Sequence, residues 1–206
     1  MLAMSFHTTQ NKKLVLPYVI FEGRDIPYNT ETKFLSIYIN ENMKWNSHIK
    51  YFSSKLNISY YMISSLKNGM NPYVLRTIYF ACFHVHLRYG LTLWGGDPES
   101  IRIFQLQKKI IRIIGKVGRH VSCRNLFQDL NVLPLPCLYI SEVVCCVKSN
   151  MEKMIYNEEV HDHCTRQKSD LHIQFCRATL FKNSSANVGI NLYNKLPNTI
   201  ERLEKI

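Results

Sequence analysis

Asp97-Pro98-Glu99-Ser100-Ile101-Arg102-Ile103-Phe104-Gln105-Leu106-Gln107-Lys108-Lys109-Ile110-Ile111-Arg112-Ile113-Ile114-Gly115 is the stretch that decides what kind of fold this chain has. Ile103, Leu106, Ile110, Ile113 and Ile114 recur at threes and fours, the spacing that lines one face of an α-helix with apolar side chains. Asp97-Pro98 is a start signal, a capping residue followed by one whose fixed φ suits a first turn, and Gly115 is a stop. The opposite face is basic, because Lys108, Lys109, Arg112 and Lys116 lie one, three or four residues apart. Residues 100–128 hold seven cations, Arg102, Lys108, Lys109, Arg112, Lys116, Arg119 and Arg124, and no acid. Solvated helices usually mix signs. A one-signed stripe can follow a phosphate backbone, neutralising phosphates and releasing counterions so that binding is salt-sensitive. The alternative is a solvated face that only keeps the protein soluble.

Working outward, the same helical period appears upstream. Trp45, Ile49, Phe52, Leu56, Ile63 and Leu66 form the apolar face of a helix ending near Asn68-Gly69. Asn71-Pro72 opens a second, with Val74, Leu75, Ile78, Tyr79, Cys82, Val85 and His86 inward and Gly95-Gly96 as its stop. Before Asn40 the pattern is that of strands: 14–16, 18–21 and 34–39 are β-branched and aromatic runs, with a hairpin tip at residues 22–25. Pro17 and Pro27 place those strands at an edge or bulge. Downstream, a short helix follows Ser122 and another covers 138–148. Beyond Asn150 the chain is polar and irregular until a last apolar group around Leu192-Tyr193 and Leu196-Pro197. The expected fold is mainly α, a helical bundle with a small N-terminal antiparallel β element.

Composition narrows the function. The chain has 206 residues, 46% of them hydrophobic and 12% aromatic, too apolar for a disordered tail and enough for one domain or two small ones. No uncharged run approaches the roughly 20 residues of a membrane span; 77–87 and 130–141 are the longest candidates. The first ten residues do not resemble a secretory signal. Seven cysteines among apolar neighbours read as buried reduced thiols, so a reducing, intracellular compartment is expected and the sequons at Asn57 and Asn183 carry no glycan. With 26 Lys and Arg against 15 Asp and Glu, the formal charge is +11. That excess calls for an anionic partner, nucleic acid first and an acidic membrane surface second.

Sites with chemistry are few. Gly115-Lys116-Val117-Gly118 has the form of the KH-domain nucleotide clamp, but lacks the surrounding strands and reads better as a helix stop. His161, His163 and Cys164, with Cys176 or His172 as a fourth, match none of the regular zinc spacings, so a hydrogen-bonding polar loop is the preferred reading. His84 and His86 point in different directions. Cys145-Cys146 reads as small core packing. The five Asp (25, 97, 129, 162, 170) are scattered, Glu158-Glu159 is the only acidic doublet, and no phosphate loop or nucleophile elbow occurs. The residues point to a binding surface without a catalytic constellation or a metal site.

Several short motifs stand in a recognisable order. They are Thr32-Lys33-Phe34-Leu35-Ser36-Ile37-Tyr38-Ile39-Asn40 with Trp45-Asn46-Ser47-His48-Ile49; His86-Leu87-Arg88-Tyr89-Gly90 with Leu93-Trp94-Gly95-Gly96; Leu106-Gln107-Lys108-Lys109 with Arg112-Ile113-Ile114; Cys123-Arg124 with Leu126-Phe127; Leu138-Tyr139-Ile140; His161-Asp162-His163-Cys164-Thr165-Arg166; and Gly189-Ile190-Asn191-Leu192-Tyr193-Asn194-Lys195-Leu196-Pro197. Together they resemble the end of the reverse transcriptase of non-long-terminal-repeat retrotransposons of the jockey type, over nearly the whole chain. The resemblance implies that 1–40 corresponds to the last palm strands, 41–118 to a helical thumb and 119–206 to the post-polymerase region. It also implies that Phe34, Leu35 and Ser36 lie at the primer grip and that the thumb holds a template–primer duplex of RNA and DNA. Ser36 stands where the family usually has Gly, Asn40 where it has Asp, and Cys164 where it has Asn. The family's catalytic aspartates and its endonuclease precede the residues matched here. Magnesium would belong to that palm site, no cofactor is expected in this chain, and the chain alone is expected to be inactive as an RNA-directed DNA polymerase. The alternative is a non-enzymatic helical interaction module derived from a mobile element.

Overall fold

The computed structural model describes residues 2–8, 17–161 and 166–197, so the expected strand at 14–16 lies outside the described residues. The fold is mainly α, with two small two-stranded antiparallel sheets near the N-terminus. The chain divides into two compact units, one from residues 1–90 and 97–131, the other from 91–96 and 132–206. Within the first unit strand β4 (Ile37–Asn40) packs on helix α1 (Asn46–Leu66). Charge divides still more unevenly. The first unit carries 17 Lys and Arg against 7 acids, a formal +10, and the second 9 against 8, a formal +1.

In the first unit β1 (Ile20–Phe21) and β2 (Arg24–Asp25) meet at Glu22-Gly23, and β3 (Glu31–Phe34) meets β4 at Leu35-Ser36. Both tips place two consecutive residues at positive φ, Glu22 at 50° and Gly23 at 71°, Leu35 at 45° and Ser36 at 64°. Such two-residue loops twist in the sense that paired strands require. The single strand expected over 34–39 is therefore two strands. Its β-branched and aromatic run concealed the turn because Leu35-Ser36 lacks the Gly, Asn or Asp that usually marks a two-residue loop with both residues at positive φ.

Helix α1 buries Ile49, Phe52, Leu56 and Ile63 as its period predicts, and also His48 and Ser59. His48 Nδ1 accepts the Tyr38 N–H at 3.4 Å and its ring stacks on Phe52 at 5.5 Å. Burial pushes its pKa down, so it is neutral. Asn71 caps α2 (Pro72–Ile78) by accepting the Val74 N–H. The helix then widens into a π-helical segment, Tyr79–His84, before α3 (Val85–Arg88). Leu75, Tyr79, Phe83 and Leu87, four apart, are buried. An inward face that includes Val85 and His86 is thus incorrect: both are exposed, because the wider π turn shifts the face by part of a residue each turn.

A 3₁₀ turn at Pro98–Ser100, capped by Asp97, leads into α5 (Ile101–Ile114). Ile103, Leu106, Gln107, Ile110, Ile111 and Ile114 are buried, and Ile113 is only half-buried. Gln107 Nε2 donates to Tyr79 Oη at 2.9 Å, joining α5 to the π segment inside the core. Burial raises the Tyr79 phenol to about 12, with the Gln107 hydrogen bond opposing. Gly115 ends α5 where a Cβ would stand 2.7 Å from Leu126 of α6 (Arg124–Asp129).

The second unit contains α4 (Leu91–Trp94), α7 (Leu135–Ser149), α8 (Asn157–Val160), α9 (Thr179–Lys182) and α10 (Ser185–Tyr193). Tyr139 of α7 lies against Gly95 and Gly96, where added Cβ atoms would come within 2.6 Å and 2.7 Å of it. Helix α10 crosses α7 at Gly189, whose Cβ would meet Val147 Cγ2 at 2.7 Å and the Val143 carbonyl at 3.1 Å. Val147, Leu171 and Ile190 form the core there. Asn194 closes it: its amide accepts the Leu171 N–H at 3.1 Å and donates to the Leu171 carbonyl at 2.9 Å. Buried thiols were expected; instead Cys137, Cys145 and Cys146 are exposed, and of the described cysteines only Cys123 is buried. Cys145 and Cys146 follow Val143 around α7 onto the faces its core contacts do not use, so they do not pack the core.

Candidate nucleic-acid interface

The seven expected cations share the first unit, but they do different work. Lys109, Lys116, Arg119 and Arg124 are exposed and carry no carboxylate partner among the described residues. Arg102 Nε is paired with Glu99 at 2.7 Å, a surface pair of small energetic value that nonetheless offsets its charge. Arg112 Nε donates to the Val121 carbonyl at 2.8 Å, clipping the loop that follows α5. The Lys108 ammonium sits over the Phe104 ring, 4.2 Å from its centroid. Of the four cations expected on one helix face, Lys109 is exposed on α5, Lys108 and Arg112 are half-buried, and Lys116 lies beyond the end of the helix.

At Gly115-Lys116-Val117-Gly118 the Val117 N–H reaches the Arg112 carbonyl at 3.1 Å and the Lys116 N–H the Ile113 carbonyl at 3.1 Å, with Lys116 at φ 53°. This pair of bonds is the Schellman helix stop, and it exposes Lys116 and Arg119 beside the end of α5. Phe34 and Leu35 are exposed at the β3–β4 tip with Ser36, and the Leu35 carbonyl accepts the Tyr89 hydroxyl. The positive φ of Ser36 gives a local reason why glycine would suit that position.

Of the expected metal candidates, His163 and Cys164 lie outside the described residues. His161 and His172 meet edge to face, ring centroids 5.5 Å apart. Asn157 fixes the His172 ring: its Nδ2 donates to the Gln167 carbonyl at 2.9 Å, leaving its Oδ1 to accept from His172 Nδ1 at 3.1 Å. Among the described residues no three His, Cys, Asp or Glu side chains converge as a metal site requires, and no helix is long and apolar enough to cross a membrane.

One signal was missed. Residues 42–96 contain no Asp or Glu at all, yet hold Lys44, Lys50, Lys55, Lys67, Arg76 and Arg88. Spread over several elements, these cations form no stripe at helical spacing. Comparison of the chain with protein-family models, with curated proteins and with solved structures returned no match.

Proposed function

We propose that this chain is a nucleic-acid-binding helical module of the thumb type, the part of a non-long-terminal-repeat reverse transcriptase that grips a template–primer duplex, and that it supplies grip rather than chemistry. The observation that carries the reading is the concentration of charge: a formal +10 on the first unit, with Lys109, Lys116, Arg119 and Arg124 exposed around one helix end. A duplex presents phosphates in two rows, and exposed ammonium and guanidinium groups on one helix face and the loop after it can contact them without reading bases.

A labelled RNA–DNA hybrid titrated at several salt concentrations tests this. Each phosphate contact contributes about 0.9 to the log–log salt slope. Replacing Lys109, Lys116 and Arg119 together by Glu is expected to lower affinity at least a hundredfold and to flatten the slope by about 3. Unchanged binding by that variant, or salt-independent binding by the parent chain, overturns the proposal.

A further inference from the structure

The β3–α1 surface holds a cluster that the α5 face does not include. Lys33 stands on β3 directly across from Tyr38 on β4, and Tyr51 packs on Tyr38 from α1, with ring centroids 4.8 Å apart. Lys33 Nζ donates to Tyr51 Oη at 3.3 Å and lies 5.0 Å from the Tyr51 centroid and 5.7 Å from that of Tyr38. Lys55, one helical turn beyond Tyr51, places its own ammonium 5.0 Å from the Tyr51 centroid. Two cations therefore share one phenol ring.

Neither ammonium has a carboxylate within salt-bridge distance among the described residues. Glu31, two residues before Lys33 on β3, accepts a hydrogen bond from the Ser47 hydroxyl at 2.8 Å, and the neighbouring α1 cation, Lys50, is exposed. Gathering two like charges costs energy unless an anion comes between them. The phenol oxygen accepts from Lys33, which leaves its hydrogen free to be donated. The Lys55 ammonium and then that of Lys33 hold the Tyr51 phenol below its usual value, against a partial desolvation that pushes it up. The surroundings thus favour negative charge at that oxygen. Two cations and the Tyr38 ring already crowd the Tyr51 ring, so the cluster suits an oxyanion better than a stacked base.

We propose that Lys33, Tyr51 and Lys55 form a phosphate-contact site for nucleic acid, separate from the α5 face. The inference rests on the nucleic-acid reading above, and two measurements separate their failures. In the salt titration, Lys33→Gln with Lys55→Gln is expected to weaken binding about tenfold and flatten the slope by about 1, as one lost phosphate contact would. Tyr51→Phe, which keeps the ring and both cation–π contacts, is expected to cost about threefold. Loss with the Lys33/Lys55 variant but not with the α5 variant sinks the α5 assignment alone, and the converse sinks this site alone. Independently, pyrophosphate is expected to raise the Tyr51 phenol titration, followed by NMR of tyrosine labelled at Cζ, because an oxyanion offsets both ammoniums. A titration unmoved by pyrophosphate overturns the site. A phenol that responds in a chain that binds no oligonucleotide overturns its assignment to nucleic acid.

Discussion

Helix α5 presses six buried side chains, Ile103 to Ile114, into the core of the first unit, whereas α10 reaches α7 in the second through the missing side chain of Gly189. The first unit is held by bulk. Each fully buried Ile or Leu there contributes roughly 1.5–3 kcal/mol, and inside that core Gln107 donates to the Tyr79 hydroxyl. The second unit also buries bulk, Trp94 and Leu91 among it, but adds close approach at Gly95, Gly96 and Gly189 and an amide clamp, and its formal charge is +1 where the first carries +10. A unit held by side-chain bulk on one face is free to vary its outer face, and in α5 every charge on that outer face is positive. A unit whose backbones touch has less freedom, since substitutions at the crossing collide with main chain.

The sharpest way to break this contrast is Asn194→Ala. It leaves both the N–H and the carbonyl of Leu171 without their partner, at about 1–3 kcal/mol each before allowance for partial exposure. A loss of about 3 kcal/mol is expected in urea unfolding, with hydrogen-exchange protection falling first in 171–193. Protection lost equally in α5 would show that the two units do not unfold separately.

The polar pair of the first unit gives the next largest effect. Tyr79 titrates near 12 in the fold and near 10 when unfolded. The folded chain therefore keeps a proton that the unfolded chain loses, and stability falls as pH rises from about 10 to about 12. The drop is expected to be between about 2 and 3 kcal/mol, and Tyr79→Phe should abolish that part of the pH dependence. An identical profile in Tyr79→Phe would remove the buried phenol from the account.

Gly189→Ala follows. Its Cβ collides with the Val147 methyl and presses on the Val143 carbonyl, which is main chain and yields less readily, so about 2 kcal/mol is expected to be lost even after the helix propensity that Ala gains. An unchanged midpoint would mean that α10 does not sit so close. The smallest changes are gains: Lys116→Gly and Ser36→Gly relieve left-handed backbone and are expected to stabilise by up to about 1 kcal/mol each. Lys116→Gly should also weaken hybrid binding, whereas Ser36→Gly should not.

Legibility in the sequence followed regularity. The caps at Asn71 and Asp97, the stop at Gly115 and the α5 face were readable, because each depends on residues within a turn or two of one another. The π segment was not, since its four-residue spacing imitates an ordinary helix until Phe83 and Leu87 are seen to be buried in place of Val85 and His86. The turn at Leu35-Ser36 was hidden in a run of strand formers. Helix α10 was reduced to an apolar group because its packing residue is a glycine, which adds nothing to a hydrophobic period. The Lys33, Tyr51 and Lys55 cluster joins a strand to a helix across unequal spacings, and no window contains its logic.

The sequence by itself determined that the chain is mainly helical, strongly basic, and furnished with a one-signed face on α5. These properties arise from local periodicity and from counting. The tertiary structure alone decided that nearly all of the charge belongs to one unit, that Arg102 and Arg112 are engaged within the protein while Lys109 and Lys116 face solvent, and that two lysines converge on one tyrosine. Those outcomes depend on which backbones come together in space, and residues distant in sequence do not record their distances in any local pattern.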